Sequence, residues 1–123
     1  MAGAADVVVW GSGTPRREFL YVDDLADAAL HLLRHYSDDT HVNIGVGYDI
    51  TIAEFAEHIR RCVGFDGEIV YDRSRADGMP RKLLDSSRIK AMGWSPTTPL
   101  VEGLRLYYDW FLANQGKLPA HRR

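Results

Sequence analysis

Apolar positions along the chain recur in two rhythms, short unbroken runs and longer stretches at helical spacing, and the two alternate. Residues 7–10 (VVVW) form an unbroken, β-branched run, the pattern of a strand covered on both faces. Gly11, Gly13 and Pro15 stop it. Residues 19–22 suit a short extended segment, after which Asp23 or Asp24 offers a helix N-cap. Leu25, Ala28, Ala29, Leu32, Leu33 and Tyr36 then repeat on one helical face. Residues 41–44 read as a second strand, stopped by Gly45 and Gly47.

The next helix carries the strongest local signal. Thr51 and Glu54 have capping-box spacing, and Ile50 and Phe55 stand where a hydrophobic staple would. Ile52, Phe55, Ala56, Ile59 and Val63 make its apolar face, and Gly64 sits where a left-handed cap belongs. Residues 68–71 predict a third strand. A long charged loop follows over 72–82, richer in function-bearing side chains than a connection needs. Asp85 or Ser86 caps a short helix through Ile89 and Met92, closed by Gly93. A last helix opens on Thr98 and Pro99, carries Leu100, Leu104, Tyr107, Tyr108 and Phe111 as its stripe, and ends at Gly116. Strands alternating with helices predict an α/β class: a small, mostly parallel sheet with flanking helices. The expected organisation is a non-native or disordered start over 1–6, one binding domain over 7–116 and a flexible tail over 117–123.

Composition narrows the function classes. With 123 residues, 46% hydrophobic and 26% charged, the chain is long enough for a core and unlike a disordered one. A net charge of −2 argues against a nucleic-acid partner. No apolar run approaches a membrane span, and the start has no signal-peptide pattern. The single cysteine, Cys62, excludes an internal disulfide and fits a reducing compartment; it is expected as a buried, inert thiol. The expected location is cytoplasmic.

Positive charge nevertheless collects in loops: Arg16, Arg17, Arg73, Arg75, Arg81 and Lys82. Guanidinium matches phosphate oxygens in pairs. The doublets Arg16-Arg17 and Arg81-Lys82 stand in two loops of an α/β domain, where loops at one end of a sheet converge on ligands. Trp10 ends its strand and serves either as core or as a stacking surface. Asp77 precedes Gly78 and either makes a turn or accepts hydrogen bonds from sugar hydroxyls. Gly11-Ser12-Gly13 is not a dinucleotide fingerprint, because the third glycine is replaced by Arg16 and Pro15 interrupts. His31 and His35 have zinc-compatible spacing but no third ligand. No serine or cysteine is tied by motif to a histidine. The residues alone describe a binding surface without reaction machinery.

Three segments, VVVWGSGTPRREFLYVDDLADAA, VNIGVGYDITIAEFAEHI and DGMPRKLLDSSRIKAMGW, together make the chain resemble the GDP-L-fucose synthases, which are extended short-chain dehydrogenase/reductases. Arg17 to Asp24 follows a pattern shared by many nucleotide-sugar enzymes of that group; WGSGTPRREF with DGMPRKLLD is more specific. The resemblance implies that Trp10, Arg17, Asp77 and Lys82 bind the GDP part of a GDP-sugar. It implies NADP(H) as cofactor of the whole enzyme, which 3,5-epimerises and then 4-reduces GDP-4-keto-6-deoxy-D-mannose as a homodimer. The catalytic and dinucleotide-binding motifs of the family are not in this sequence. The chain is therefore expected to match the C-terminal substrate domain, with no cofactor or catalysis of its own and a tendency to self-associate. Two other readings fit the same residues: the substrate domain of another nucleotide-sugar epimerase or dehydratase, and a stand-alone nucleotide-binding module.

Overall fold

The computed structural model describes residues 5–115. Strand β1 (Asp6–Trp10) pairs in parallel with β4 (Glu68–Asp72), Trp10 level with Asp72. Between them in sequence come β2 (Arg16–Arg17), helix α1 (Val22–His35), β3 (Ile50–Thr51) and helix α2 (Ile52–Val63). After β4 follow β5 (Arg81–Lys82), the short helix α3 (Ser87–Ala91) and α4 (Leu100–Asn114). The mostly parallel character expected from the sequence is present, divided between two small sheets. One is β1–β4; the other runs β3–β2–β5, antiparallel on its first side and parallel on its second.

Helix α2 forms as its sequence dictates. Thr51 Oγ1 accepts from the Glu54 amide at 3.0 Å, and Glu54 Oε2 accepts from the Thr51 amide at 2.7 Å. Gly64 ends the helix at φ 66°, ψ 38°, a conformation costly for a residue with a Cβ. Phe55, in the first turn, stacks on Phe19 with ring centroids 3.7 Å apart.

Several expectations are corrected. Residues 41–44 are not a strand; Val42 and Ile44 pack as loop side chains against the core of Ala28, Ile89 and Trp94. Neither Asp23 nor Asp24 caps α1, whose N-cap is Tyr21 without a side-chain bond. Asp24 instead lies buried on the inner face with Ala28. That face is rotated from the predicted stripe, leaving Leu25 and Leu33 exposed. Thr98 does not cap α4; the cap is Pro99, one residue later. Strand β1 is not covered on both faces: Val7 and Val8, which point to opposite sides of a strand, are both exposed. Cys62 is half-buried rather than buried, because no residue of α2 is fully enclosed. Asp6, assigned to the irregular start over 1–6, already pairs with Glu68. The rest of that segment before Ala5, Gly116 as the stop of α4, and the tail over 117–123 lie outside the described residues.

Candidate functional site

The site begins where β1 ends. Gly11 and Gly13 take φ 91° and 78°, and the chain turns tightly from β1 toward β2. The loop after β4 closes on this turn. Asp77 Oδ1 accepts from the Ser12 amide at 2.8 Å, and Oδ2 accepts from the Ser12 hydroxyl at 2.6 Å. These two bonds hold the Asp77 carboxyl below the usual aspartate range. A carboxylate has about four acceptor positions, so Asp77 keeps capacity for further donors. A Cβ on Gly11 would run into the same carboxylate, so the glycine is what lets the loop approach.

One residue on, Gly78 lies against Arg17: a Cβ there would stand 3.2 Å from Arg17 Nη2. Arg17 Nη1 donates to the Arg16 carbonyl at 2.7 Å, which orients the guanidinium and leaves its other N–H groups unused by that bond. Lys82 is the register partner of Arg17 across the parallel β2–β5 pair. The two cations line one open hollow of about 520 Å³ together with Glu18, Leu83 and Leu84. The Glu18 carboxylate is held by backbone amides: its Oε2 accepts from the Gly47 amide at 2.7 Å and its Oε1 from the Leu84 amide at 3.3 Å. Trp10 is 72% exposed at the end of β1. The Arg75 guanidinium lies 5.0 Å from its ring centroid, a cation–π contact on one face.

Of the four residues singled out in the sequence, Arg17 and Lys82 line the same hollow, and Trp10 and Asp77 flank the neighbouring turn at Gly11. Trp10 adjoins Gly11, Gly11 adjoins Asp77, Gly78 adjoins Arg17, and Arg17 stands level with Lys82. The doublets do not act as pairs. Strand alternation sends Arg16 and Arg81 to the other face, where both engage Asp49. Arg16 Nε donates to Asp49 Oδ1 at 2.8 Å, and its Nη2 donates to the Asp49 carbonyl at 2.9 Å. Arg81 Nε donates to Asp49 Oδ2. The Arg16 and Arg81 bonds hold the Asp49 carboxyl below its ordinary range against the opposing effect of burial. Sequence reasoning missed Asp49. Its signal was available in the period of two: a basic doublet on a strand must split between faces, and one half needs a counter-ion.

Elsewhere the chemistry is structural. His31 Nε2 donates to the Met92 carbonyl at 2.9 Å, which ties α1 to the end of α3. An apolar groove of about 340 Å³ between Phe19, Phe55, Leu100 and Leu104 carries no charged lining residue, so it cannot answer a phosphate. The turn at residues 11–14 passes into β2 and not into a helix N-terminus. That turn therefore lacks the strand–turn–helix order of a dinucleotide fingerprint. Among the described residues, no helix is long and apolar enough to cross a membrane.

A parallel β1–β4 pair lies beside helices, and a glycine turn leads from it to Arg17 and Lys82. Residues 1–45 match the NAD dependent epimerase/dehydratase family. The resemblance to GDP-L-fucose synthases holds. The chain is 56% identical over 113 residues to probable GDP-L-fucose synthase 1 of Oryza sativa subsp. japonica, covering 92% of this chain and 34% of that protein. It is 49% identical over 123 residues to GDP-L-fucose synthase of Escherichia coli (strain K12), covering 93% and 38%. A solved GDP-L-fucose synthetase from Naegleria fowleri, bound to NADP, superposes with a TM-score of 0.86 at 30% identity, covering 91% of this chain and 36% of that one. The chain spans about a third of the length of the curated relatives it matches.

Proposed function

We propose that this chain forms the GDP-sugar-binding part of an NADP-dependent GDP-L-fucose synthase, the enzyme that 3,5-epimerises and then 4-reduces GDP-4-keto-6-deoxy-D-mannose. The observation that carries the reading is the level placement of Arg17 and Lys82 on β2 and β5, facing one hollow with no ion-paired carboxylate of their own among the described residues. In this reading Arg17 grips the diphosphate through its planar fork and Lys82 adds a point charge. Trp10 offers its ring to the nucleoside, and Asp77 accepts from nucleoside or sugar hydroxyls with the lone pairs that Ser12 leaves over. Binding energy from the unreacting GDP handle would then position the sugar for chemistry elsewhere in the enzyme.

NADPH supplies the hydride in such an enzyme. The reading assigns the residues of this chain to the substrate and none to the dinucleotide. A homodimeric whole enzyme and a cytoplasmic location belong to the same proposal. GDP is favoured over UDP or dTDP because curated relatives at 49–56% identity are named GDP-L-fucose synthase.

Calorimetric titration with GDP, UDP and dTDP tests the assignment. GDP is expected to bind tightest, and Arg17→Glu to weaken it by at least about tenfold, the worth of a charge-assisted hydrogen bond. Preference for another nucleotide would move the chain to a different epimerase or dehydratase specificity. Unchanged GDP affinity in Arg17→Glu would remove Arg17 from the site.

A further inference from the structure

Arg16, Arg17, Arg81 and Lys82 place four cations on a patch two residues long and two strands wide. Arg16 is level with Arg81, and Arg17 with Lys82. Like charges directly opposite one another oppose strand pairing. On one face that repulsion is answered by a single carboxylate. Asp49, whose side chain is 5% exposed, accepts from Arg16 on one oxygen and from Arg81 on the other. Asp49 immediately precedes β3, which pairs with the free side of β2: Arg17 is level with Ile50, and Arg16 with Thr51. One residue therefore joins all three strands of the small sheet at the level of the cations. Strand β5 holds to β2 over only two residues, so this clamp is a large part of what fixes its place.

We propose that Asp49 is a positioning residue for the diphosphate site. By clamping Arg16 to Arg81 it sets the separation of β2 and β5, and so holds Arg17 and Lys82 side by side for one anion. This inference rests on the GDP-sugar reading above.

Two effects of Asp49→Asn have opposite signs, which makes the variant informative. Removing a negative charge raises the positive potential of the patch and attracts a diphosphate more strongly. Removing the clamp lets Arg81 and β5 shift, so that Lys82 no longer stands beside Arg17. An acid that only neutralised charge would yield tighter GDP binding when lost; a positioning acid yields weaker binding.

The experiment is a double-mutant cycle on GDP affinity in the full chain, with Asp49→Asn, Arg17→Gln and their combination. Asp49→Asn is expected to weaken GDP by about tenfold, the size of one lost charge-assisted contact. In the Arg17→Gln background the same change is expected to cost less than about twofold, because the pair it aligns is already broken. A general loss of structure would instead act equally in both backgrounds. Arg81→Gln repeats the test at an exposed side chain while keeping the Arg16–Asp49 bond, and serves if Asp49→Asn does not fold; the same loss and the same non-additivity are expected. Unchanged or tighter GDP binding in Asp49→Asn, or losses that multiply, overturns the inference while weakened binding in Arg17→Gln keeps the site. Unchanged binding in Arg17→Gln overturns the GDP-sugar reading, and the inference with it.

Discussion

Asp24 and Thr98 are joined across most of the chain: the Thr98 amide donates to Asp24 Oδ2 at 3.0 Å. Thr97 adds its hydroxyl at 3.1 Å and its amide at 3.4 Å to Oδ1. A carboxylate on the inner face of α1 thereby fastens the residues that lead into α4. Asp24 is 6% exposed, and an acid so buried persists only when its oxygens are satisfied. Asp24→Ala should lower the unfolding free energy by about 3 kcal/mol, through bonds to a buried charge and the amides left without partners. Asp24→Asn, which keeps one acceptor oxygen, should cost less. Thermal or urea unfolding of both variants checks this; an Asp24→Ala chain as stable as the parent would mean that the tie does not hold α4.

Acid should loosen the fold within a defined window. Burial pushes the Asp24 carboxyl up, but the hydrogen bonds from Thr97 and Thr98 outweigh it and hold the group below the ordinary value. Asp49, held by Arg16 and Arg81, and Asp77, held by Ser12, are shifted in the same direction. In the unfolded chain these groups titrate near about 3.9. As pH falls through that value the unfolded state binds protons that the folded state still refuses, and stability declines. The stabilisation is complete above the unfolded value and is lost as pH drops through the lowered folded values. Urea midpoints should therefore be insensitive to these groups between about pH 5 and 7 and fall steeply below about pH 4. Asp24→Asn should have a shallower acid limb, and a limb identical to that of the parent would exclude Asp24 as a contributor.

What the sequence shows of this molecule follows the range of the interaction. The α2 cap was legible because Thr51, Glu54 and Gly64 act within one helix. The convergence of Arg17 with Lys82 was legible as chemistry, because cationic doublets in α/β loops have few uses. Asp24 was misread because an acid before an apolar periodic stretch looks like an N-cap, and its real partners stand 73 and 74 residues away. Residues 41–44 have the composition of a strand, yet no neighbouring strand pairs with them; Val42 and Ile44 are spent on the core around Ile89 instead. For Asp49, the alternation along the basic doublets signals that a counter-ion is needed but not which residue supplies it. Its role exists only once β2, β3 and β5 lie side by side.

Gly11 tests how far the site depends on backbone shape. At φ 91° a side chain is strained before any neighbour is considered, and the neighbour here is the Asp77 carboxylate. Gly11→Ala should cost about 1–3 kcal/mol of stability from backbone strain and displace Asp77 from Ser12. If Asp77 also serves the nucleotide, GDP binding weakens in the folded variant, and Ser12→Ala should reproduce the binding loss with a smaller stability loss. Wild-type affinity in both variants would reduce the Ser12–Asp77 link to a loop fastening.

Strand β1 gives the last prediction. It pairs only with β4 among the described residues, so each of the two strands has an unpaired edge. Two-stranded sheets are marginal alone, and open edges recruit other strands. Val7, Val8 and Val70 are exposed on this sheet, and Trp10 ends it in the open. Because neighbouring residues of a strand face opposite ways, exposure of both Val7 and Val8 bares the sheet on two sides. The isolated chain should therefore associate with itself as concentration rises, which light scattering measures. Val8→Lys should suppress that association, since a lysine on a strand with an open edge disfavours stacking and edge pairing alike. It should leave the helical circular-dichroism signal unchanged, because Val8 belongs to strand β1 and is exposed in the folded chain. A parent chain that stays monomeric over the accessible concentration range would show that this bare sheet does not drive association.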